Sequence, residues 1–387
     1  MSESKQRIYL DHQATTPVDE RVVEAMLPYF TEVYGNAASN DHLFGVDAKK
    51  AVNKARNTIA NAINAKSDEV IFTSGATESD NIAVLGVAER YEDEGKHIIT
   101  CVTEHKAVLD PCKELEERGW EVTYLPVDEY GMVDPGGVRD AIRDDTTLIS
   151  IMMANNEVGN IAPVQEIGSI AREYDVKFHT DAAQCLGHIP IDVDEMNIDL
   201  MSASAHKCYG PKGIGLLYRR RSRPRVNVKP QMFGGGHERG LRSGTLNVPA
   251  IVGFGKAVEV GLKEMGAENE RYRNWTDRMF NLLQEELGDV ERNGHPTERL
   301  AHNLNIYIPG IESRALIVDL KETAIATGSA CTSADVEPSH VITAMRDEQR
   351  AHSSIRISVG RTNDTDQITR AARRIADSVG QLRAFVI

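Results

Sequence analysis

The sequence predicts an α/β protein with a mainly parallel sheet, covered by helices on both faces and followed by a smaller α/β unit. The first observation is that short apolar strand candidates alternate with charged, helix-like stretches, which is the pattern of repeated strand–helix–strand units. The second is a long charged helical stretch, 250–287, which resembles a connector. Beyond it, new strand candidates at 303–308 and 354–359 precede a closing amphipathic helix. The chain therefore divides into a large unit and a smaller one.

The elements of the large unit follow from apolar runs and their spacing. Strand candidates are, in chain order, 8–10, 70–73, 97–102, 122–126, 148–153, 176–181 and 198–205. Helices are predicted where apolar residues recur at every third or fourth position, as in 46–63 and in the charged stretches 111–118 and 164–174. Ligands of parallel sheets collect at the carboxyl ends of the strands. Polar residues that follow a strand are therefore the candidates for a site.

Composition narrows the class of protein. The chain has 387 residues, of which 41% are hydrophobic and 26% charged, as in ordinary globular proteins. No apolar run approaches the roughly 20 residues that span a bilayer, and the N-terminus lacks the apolar centre of a signal peptide, so we expect a cytoplasmic protein without a membrane partner. A net charge of −14 argues against stable nucleic-acid binding. The three arginines at 219–221 are interpreted as a solvated turn.

The five cysteines are neither paired by a CxxC spacing nor even in number. Neither disulfides nor a metal site is therefore predicted. Cys101 and Cys185 lie in apolar surroundings that are typical of buried thiols. Cys331 lies instead among small and polar residues, in the segment 326–335. That environment is typical of an exposed, reactive thiol.

Lys207 is the residue around which the candidate site is organised. It follows the apolar strand candidate 198–205 and enters a turn that contains glycine and proline, so its amine can point inward. Ser204 and His206 flank it with groups that could hold a phosphate or an aromatic ring. A lysine amine is a nucleophile toward carbonyls, and pyridoxal phosphate is the commonest cofactor that uses one. A surface lysine beside a loop is the alternative.

Two further groups at strand ends support this hypothesis. The strand 70–73 runs into the segment 74–77 and then into a helix, where free N–H groups and the helix dipole favour an anion such as phosphate. An ordinary glycine turn is the alternative there. Asp181 ends another strand and could keep a pyridine nitrogen protonated, with Gln184 hydrogen-bonded to the ring oxygen. The alternative for Asp181 is that it caps the next helix.

Arg356 is unusual because it alternates with isoleucines inside a strand candidate. A charge at such a position must face a partner. A substrate carboxylate, held by two parallel hydrogen bonds, is one interpretation, and an internal salt bridge is the other. His105 and Asn156 also follow strands and complete the set of candidate polar residues.

Seven motifs together resemble the cysteine desulfurases of the NifS/IscS type, which belong to the class-V aminotransferases. They lie at 74–81, 103–105, 155–159, 181–184, 204–207, 242–245 and 328–333. The motifs follow the family's order, and the cysteine loop separates this group from other aminotransferases. The resemblance implies pyridoxal-phosphate fold type I, which is aspartate aminotransferase-like: a large domain with a mainly parallel seven-stranded sheet, and a smaller α/β C-terminal domain.

The resemblance also implies domain boundaries. Residues 1–15 would be an N-terminal segment packing with the small domain, and 16–255 the large domain that binds pyridoxal phosphate. Residues 256–387 would form the small C-terminal domain, which carries the Cys331 loop.

Roles for individual residues follow from the same resemblance. Lys207 would carry the cofactor and act in catalysis, Asp181 would pair with the pyridine nitrogen, Gln184 would contact the phenolic oxygen, and His105 would stack on the ring as a further catalytic group. The groups that would hold the phosphate are Ala76, Thr77, Ser204, His206 and, from the partner subunit of a homodimer, Thr245. The substrate carboxylate would be held by Asn156, which also contacts the cofactor, and by Arg356.

The implied activity is conversion of L-cysteine to L-alanine. Lys207 would remove the α-proton, and the Cys331 thiolate would take the sulfur as a persulfide. The sulfur would then pass to an iron–sulfur scaffold protein or another acceptor, for cluster assembly or for tRNA or cofactor thiolation, with Cys331 as a transient cluster ligand. The competing interpretations are a selenocysteine lyase, a small-substrate aminotransferase, and a sulfur-relay or scaffold subunit with a vestigial pocket.

Overall fold

The computed structural model describes residues 7–327 and 338–385. The strands are β1 (Ile8–Tyr9), β2 (Val70–Thr73), β3 (His97–Cys101), β4 (Glu121–Leu125), β5 (Thr146–Ser150), β6 (Lys177–Asp181), β7 (Leu200–Ser204), β8 (Gly215–Arg219), β9 (Glu291–Arg292), β10 (Asn303–Tyr307), β11 (Thr323–Ala324) and β12 (Ser354–Ser358). The helices are α1 (Glu20–Met26), α2 (Pro28–Thr31), α3 (Leu43–Ala62), α4 (Ala76–Tyr91), α5 (Lys106–Glu117), α6 (Pro135–Ala141), α7 (Val164–Glu173), α8 (Val248–Leu287), α9 (Ser313–Asp319), α10 (His340–Met345), α11 (Glu348–His352) and α12 (Thr365–Phe385).

A seven-stranded sheet forms the centre of the large unit. Its strand order is β2-β8-β7-β6-β5-β3-β4, and every pairing is parallel except those of β8, which runs antiparallel to both neighbours. The predicted mainly parallel α/β fold is therefore confirmed. The order brings the carboxyl ends of β5, β6 and β7 together at one edge of the sheet.

The two faces of this sheet are covered by different helices because neighbouring residues of a strand point to opposite sides. Leu216 of β8 packs in an apolar cluster with residues of α3 and α8, whereas Leu217 packs with residues of α4 and α5. Burial on both faces explains why the strands are continuous apolar runs in the sequence.

Strand β8 was missing from the sequence-based assignment, and the interpretation of 219–221 as a solvated turn is wrong. Arg219 and Arg220 are only 6% and 5% exposed, because β8 lies between β2 and β7 inside the sheet. The Arg220 guanidinium donates to the Ile198 carbonyl over 3.1 Å and lies 3.3 Å from the Asp199 carboxylate. Its charge is therefore balanced within the protein.

The smaller unit is built on an antiparallel sheet of order β12-β10-β9. Ile306 of β10 and Ile355 of β12 pack against α12 and the C-terminal half of α8. Helix α8 has 40 residues and a length of about 60 Å, so it takes part in the apolar clusters of both units. In the N-terminal segment, Ile8 pairs with Thr323 of β11, and Asp11 forms a bridge with Ser358 of β12.

Cys101 and Cys185 are buried, as predicted, and so are Cys112 and Cys208. Among the helices of the two described ranges, none combines the length and the apolar composition needed to cross a membrane.

Candidate active site

A cavity of about 600 Å³ opens at the carboxyl ends of the central strands. Asp181 ends β6 and Ser204 ends β7, and the two strands pair side by side. The predicted site residues that line the cavity are Ala76, Thr77, His105, Asn156, Asp181, Gln184, Ser204, His206, Lys207 and Arg356. These residues lie up to 280 positions apart in the sequence, so it is the order of the strands in the sheet that brings them together.

Lys207 directs its amine into this cavity. It lies in a 3₁₀ turn directly after β7, and Tyr209, two residues on, has a left-handed φ of 65°. Its Nζ donates hydrogen bonds to the carbonyls of Gln13 and Ala14, over 2.6 and 2.9 Å. The Lys207 carbonyl in turn accepts a hydrogen bond from Nε2 of His188 over 2.9 Å. Both ends of the lysine residue are thus held in place.

The N-terminus of α4 forms one end of the cavity. The helix begins at Ala76 after Gly75, and no side chain of the described residues caps it, so its first N–H groups remain available to an anion. The close packing behind this turn requires glycine at position 215, because a Cβ there would lie 2.6 Å from the Gly75 backbone. Of the backbone donors of this turn, the Ser74 N–H is taken by the Glu78 carboxylate over 2.7 Å, whereas those at the start of α4 have no side-chain cap.

His206 also lines the cavity. Its Nδ1 forms a hydrogen bond with the Thr15 hydroxyl over 3.1 Å. Burial, together with the positive charges of Lys207 and Lys212, lowers the pKa of His206 to about 4. The ring is therefore neutral at pH 7.

Asp181 provides a buried carboxyl elsewhere in the cavity. Its Oδ1 accepts a hydrogen bond from the Ala183 N–H over 2.8 Å. Burial raises the pKa of Asp181, while the positive charges of His105 and Lys207 act in the opposite direction. The cavity thus holds an anion-binding end and a carboxyl, with a lysine amine in the same space.

Asp80 of α4 also lines the cavity and is fully buried. Among the described residues its carboxyl oxygens make no hydrogen bond of good geometry; Nε2 of His179 lies 3.6 Å away, and the Ser202 hydroxyl is close enough to oppose the rise of its pKa. Burial, and then the charge of Asp181, raises the pKa of Asp80 well above its ordinary value. A buried carboxyl with so few polar contacts is unusual in a protein interior.

The tautomer of His105 follows from its position at the start of α5. Its Nδ1 accepts a hydrogen bond from the Ala107 N–H over 3.1 Å. In the neutral ring the proton is therefore on Nε2. His105 can offer a hydrogen bond through Nε2 while it continues to cap the helix.

Arg356 lines the cavity and forms an internal ion pair with Asp11, as its second interpretation expected, whereas its role in binding a substrate carboxylate stays a prediction. The side chain is 2% exposed. Its Nη2 donates to the Asp11 carboxylate over 2.7 Å, and its Nη1 donates to the Asn156 carbonyl over 2.8 Å. Its Nε is buried and finds no hydrogen-bond partner in the part of the chain that the structure describes.

Two predicted site residues remain, Thr245 and Cys331. Thr245 is exposed and does not line the cavity of its own chain. Cys331 lies outside the described residues. Before this gap, Ala326 pairs with Arg356 through two backbone hydrogen bonds, of 3.1 and 2.6 Å. The chain thus enters the cysteine segment beside the cavity.

Sequence reasoning missed the part of the site formed by Gln13, Ala14 and Thr15, which also line the cavity. The polar segment between β1 and Pro17 was the signal, but nothing local indicated that it would reach Lys207. Gln184 contacts the same segment, because its Nε2 donates to the Gln13 carbonyl over 3.1 Å.

The donor set fits pyridoxal phosphate. The free N–H groups of α4 suit the phosphate, the carboxyl of Asp181 suits a pyridine nitrogen, and the amine of Lys207 suits the aldehyde. Fold and site together define a class of protein: α/β enzymes of fold type I that hold this cofactor on a lysine.

Comparison with known proteins identifies the family. The family model described as "Aminotransferase class-V" matches residues 8–371, so this chain belongs to that family. It is 52% identical over 377 residues to the cysteine desulfurase IscS of Anaeromyxobacter dehalogenans, a match that covers 97% of this chain and 93% of that relative. Enzymes of this family depend on pyridoxal phosphate, so this chain is a pyridoxal-phosphate enzyme and the predicted cofactor is confirmed.

Solved structures agree with this assignment. A NifS-like protein superposes with a TM-score of 0.91 and 35% identity, over 97% of this chain and all of that one. A structure described as SspA in complex with cysteine gives a TM-score of 0.81 and 38% identity, over 91% of this chain and 98% of that chain. The predicted resemblance to the NifS/IscS type is therefore confirmed.

Proposed function

We propose that this enzyme is a cysteine desulfurase, which converts L-cysteine to L-alanine and takes the sulfur onto Cys331 as a persulfide. The observation that carries the proposal is the cavity in which the Lys207 amine, the Asp181 carboxyl and the Arg356 guanidinium meet. The 52% identity to a cysteine desulfurase over nearly the whole chain supports the same activity.

Residues of the cavity would hold pyridoxal phosphate in the following way. Lys207 would bind it covalently through Nζ, Asp181 would pair with the ring nitrogen, and Gln184 would contact the phenolic oxygen. His105 would stack on the ring. The phosphate would be held by the N–H groups and side chains of Ala76, Thr77, Ser204 and His206. When bound, the cofactor supplies an aldehyde that condenses with amines and a ring that accepts electrons.

The chain's own residues would orient the substrate and move its protons. Arg356 and Asn156 would hold the carboxylate of cysteine. The Lys207 amine, once released, would take the α-proton on Nζ. His105 would offer its Nε2 proton to a group in the cavity, because its Nδ1 is used by the cap of α5.

Cys331 would receive the sulfur. Its thiolate would attack the substrate's sulfur, so that a sulfur–sulfur bond forms while the bond from sulfur to the β-carbon breaks and its electron pair stays with the substrate. A proton delivered to the β-carbon, and the return of the α-proton from Nζ of Lys207 to the α-carbon, then complete alanine. The segment's small, polar composition suits a thiol that must also deliver its sulfur to another protein.

The active form would be a homodimer in which Thr245 contributes to the phosphate site of the partner subunit. Thr245 is exposed and lies away from the cavity of its own chain. Near the N-terminus, Leu27, Phe30, Tyr34 and Phe44 are more than half exposed. A concentration of large apolar side chains on a surface marks an association site.

The domain boundaries, the sulfur acceptor and the compartment are part of the same proposal. The chain would consist of an N-terminal segment (1–15), a large cofactor-binding domain (16–255) and a small domain (256–387). The sulfur would pass to an iron–sulfur scaffold protein or to an acceptor for tRNA or cofactor thiolation. The compartment would be the cytoplasm.

Substitution of two cysteines tests this function. Cys331→Ala should abolish sulfur release from L-cysteine. If the enzyme were an aminotransferase or a selenocysteine lyase, most of its activity would remain in this variant. Cys208→Ser is the matched control, because Cys208 is 2% exposed and burial raises the pKa of its thiol to about 12. Sulfur release that persists in Cys331→Ala, in protein loaded with pyridoxal phosphate, would contradict the proposal.

A further inference from the structure

Asp11 is the counter-ion of the proposed carboxylate-binding arginine. It follows β1 in the N-terminal segment, and its carboxylate lies 2.7 Å from Nη2 of Arg356. The Asp11 side chain is 19% exposed and that of Arg356 is 2% exposed. The pair is therefore screened less than a surface ion pair.

The backbone holds Asp11 firmly in this position. Asp11 forms a bridge with Ser358 of β12, and its carbonyl accepts hydrogen bonds from the Tyr9 hydroxyl and the Ala14 N–H, each over 3.0 Å. The next residues of the same segment, Gln13 and Ala14, accept the hydrogen bonds of Lys207. One short segment thus contacts both the lysine and the arginine of the site.

Each Nη of Arg356 makes one described hydrogen bond and so keeps a second N–H for a ligand. Nη2 is used by Asp11 and Nη1 by the Asn156 carbonyl, whereas Nε is buried and has no partner among the residues that the structure describes. Because Arg356 lines the cavity, an incoming carboxylate meets a guanidinium that already shares its charge with Asp11.

We propose that Asp11 is a positioning residue that also sets the strength of carboxylate binding. It holds the Arg356 guanidinium in place and, through repulsion between two carboxylates that share one cation, weakens the binding of an amino-acid carboxylate. This inference rests on the proposed function, because it takes the substrate to be an amino acid bound through Arg356.

The weakening has a chemical reason. L-Cysteine and L-alanine carry the same carboxylate, so an interaction with that group stabilises substrate and product equally. Binding that is uniform along the reaction does not accelerate the chemical step, and it slows the release of product. A counter-ion built into the site keeps the orientation that the arginine provides and removes much of the excess affinity.

Propionate is a suitable probe, because it presents a carboxylate without an amine or a thiol. Its dissociation constant is measured by calorimetry on the enzyme loaded with pyridoxal phosphate. Asp11→Asn keeps an oxygen acceptor for Nη2 and removes only the charge, so propionate should bind about tenfold more tightly. The KM for L-cysteine should fall, and kcat should not rise. Should the Asn variant fail to fold, Asp11→Ser removes the same charge but also the contact that positions Nη2, so propionate binding should tighten by less than about tenfold.

Two control variants isolate the effect. Asp289→Asn removes the same charge from a pair with Arg383, 2.9 Å apart and partly exposed on the surface, and should leave propionate binding unchanged. Arg356→Gln should abolish that binding in both the wild-type and the Asp11→Asn background.

Several outcomes would overturn the inference. If propionate binds Asp11→Asn as weakly as the wild type, or more weakly, Asp11 has only a structural role. If propionate binding survives Arg356→Gln, the carboxylate site lies elsewhere. A wild-type enzyme that binds propionate through Arg356 but does not consume L-cysteine would refute the proposed function, while tighter binding by Asp11→Asn would still support the role of Asp11.

Discussion

Asp80→Asn should stabilise the cofactor-free protein, and increasingly so as the pH rises. Asp80 is fully buried close to two other buried carboxyls, Glu104 and Asp181, which are 0% and 5% exposed. Burial is the main cause of the raised pKa of Asp80, and the charges of Asp181 and Glu104 add to it. The substitution keeps the shape of the side chain and removes its ability to ionise.

The sign and size of the effect follow from proton binding. In the unfolded chain Asp80 loses its proton near its ordinary value of 3.8, whereas the folded protein retains that proton to higher pH. Above about pH 4 the native state therefore binds more protons than the unfolded state, and stability falls as the pH rises toward the folded pKa. The loss is up to about 1.4 kcal/mol for each pH unit. Asp80→Asn removes this slope.

Urea denaturation of cofactor-free protein at several values between about pH 5 and pH 8 measures the difference. The unfolding midpoint of Asp80→Asn should exceed that of the wild type by an amount that grows with pH. Asp140→Asn, on the exposed surface, is the control and should follow the wild type. A difference that does not change with pH, or a wild type that is the more stable protein at pH 8, would refute the reasoning.

Three other substitutions test the packing around the site. Glu238→Gln breaks a buried ion pair with Arg56, whose Nη2 lies 2.6 Å from the carboxylate, and should lower the free energy of unfolding by about 3–5 kcal/mol in urea denaturation. Gly360→Ala would place a Cβ 2.4 Å from Nδ1 of His12 and should cost about 1–3 kcal/mol by the same measurement. Burial lowers the pKa of His12 from 6.5 to about 4, so between these two values the unfolded state binds a proton that the folded state does not. The protein therefore loses stability as the pH falls from about 6.5 to about 4. His12→Gln should reduce this acid sensitivity by up to about 3 kcal/mol, and unchanged acid sensitivity would contradict the assignment.

The sequence indicated much of the fold, because buried strands are continuous apolar runs between turn residues. The strand candidate 198–205 became β7, Leu200–Ser204, and 46–63 became α3, Leu43–Ala62. Strand β8 was missed, since its short apolar run ends in arginines that are typical of a surface. Only the position of β8 between two other strands explains why Arg219 and Arg220 are buried.

The site was predictable where its residues follow strands, and not where contacts join distant parts of the chain. Asp181 and Lys207 could be recognised from the strands that precede them. The bond from Lys207 to Gln13 joins residues 194 positions apart, and the pair of Arg356 with Asp11 joins residues 345 apart. No local pattern encodes such contacts, because they depend on how the N-terminal segment lies across the sheet edge.

The most direct test of the central claim is anaerobic incubation of the cofactor-loaded protein with L-cysteine that carries labelled sulfur. Alanine is quantified, and the label is located by mass spectrometry of the protein. We expect alanine to form in step with the transferred sulfur, with the label on Cys331 as a persulfide. Protein that holds pyridoxal phosphate on Lys207 but yields neither alanine nor a labelled Cys331 would contradict the account.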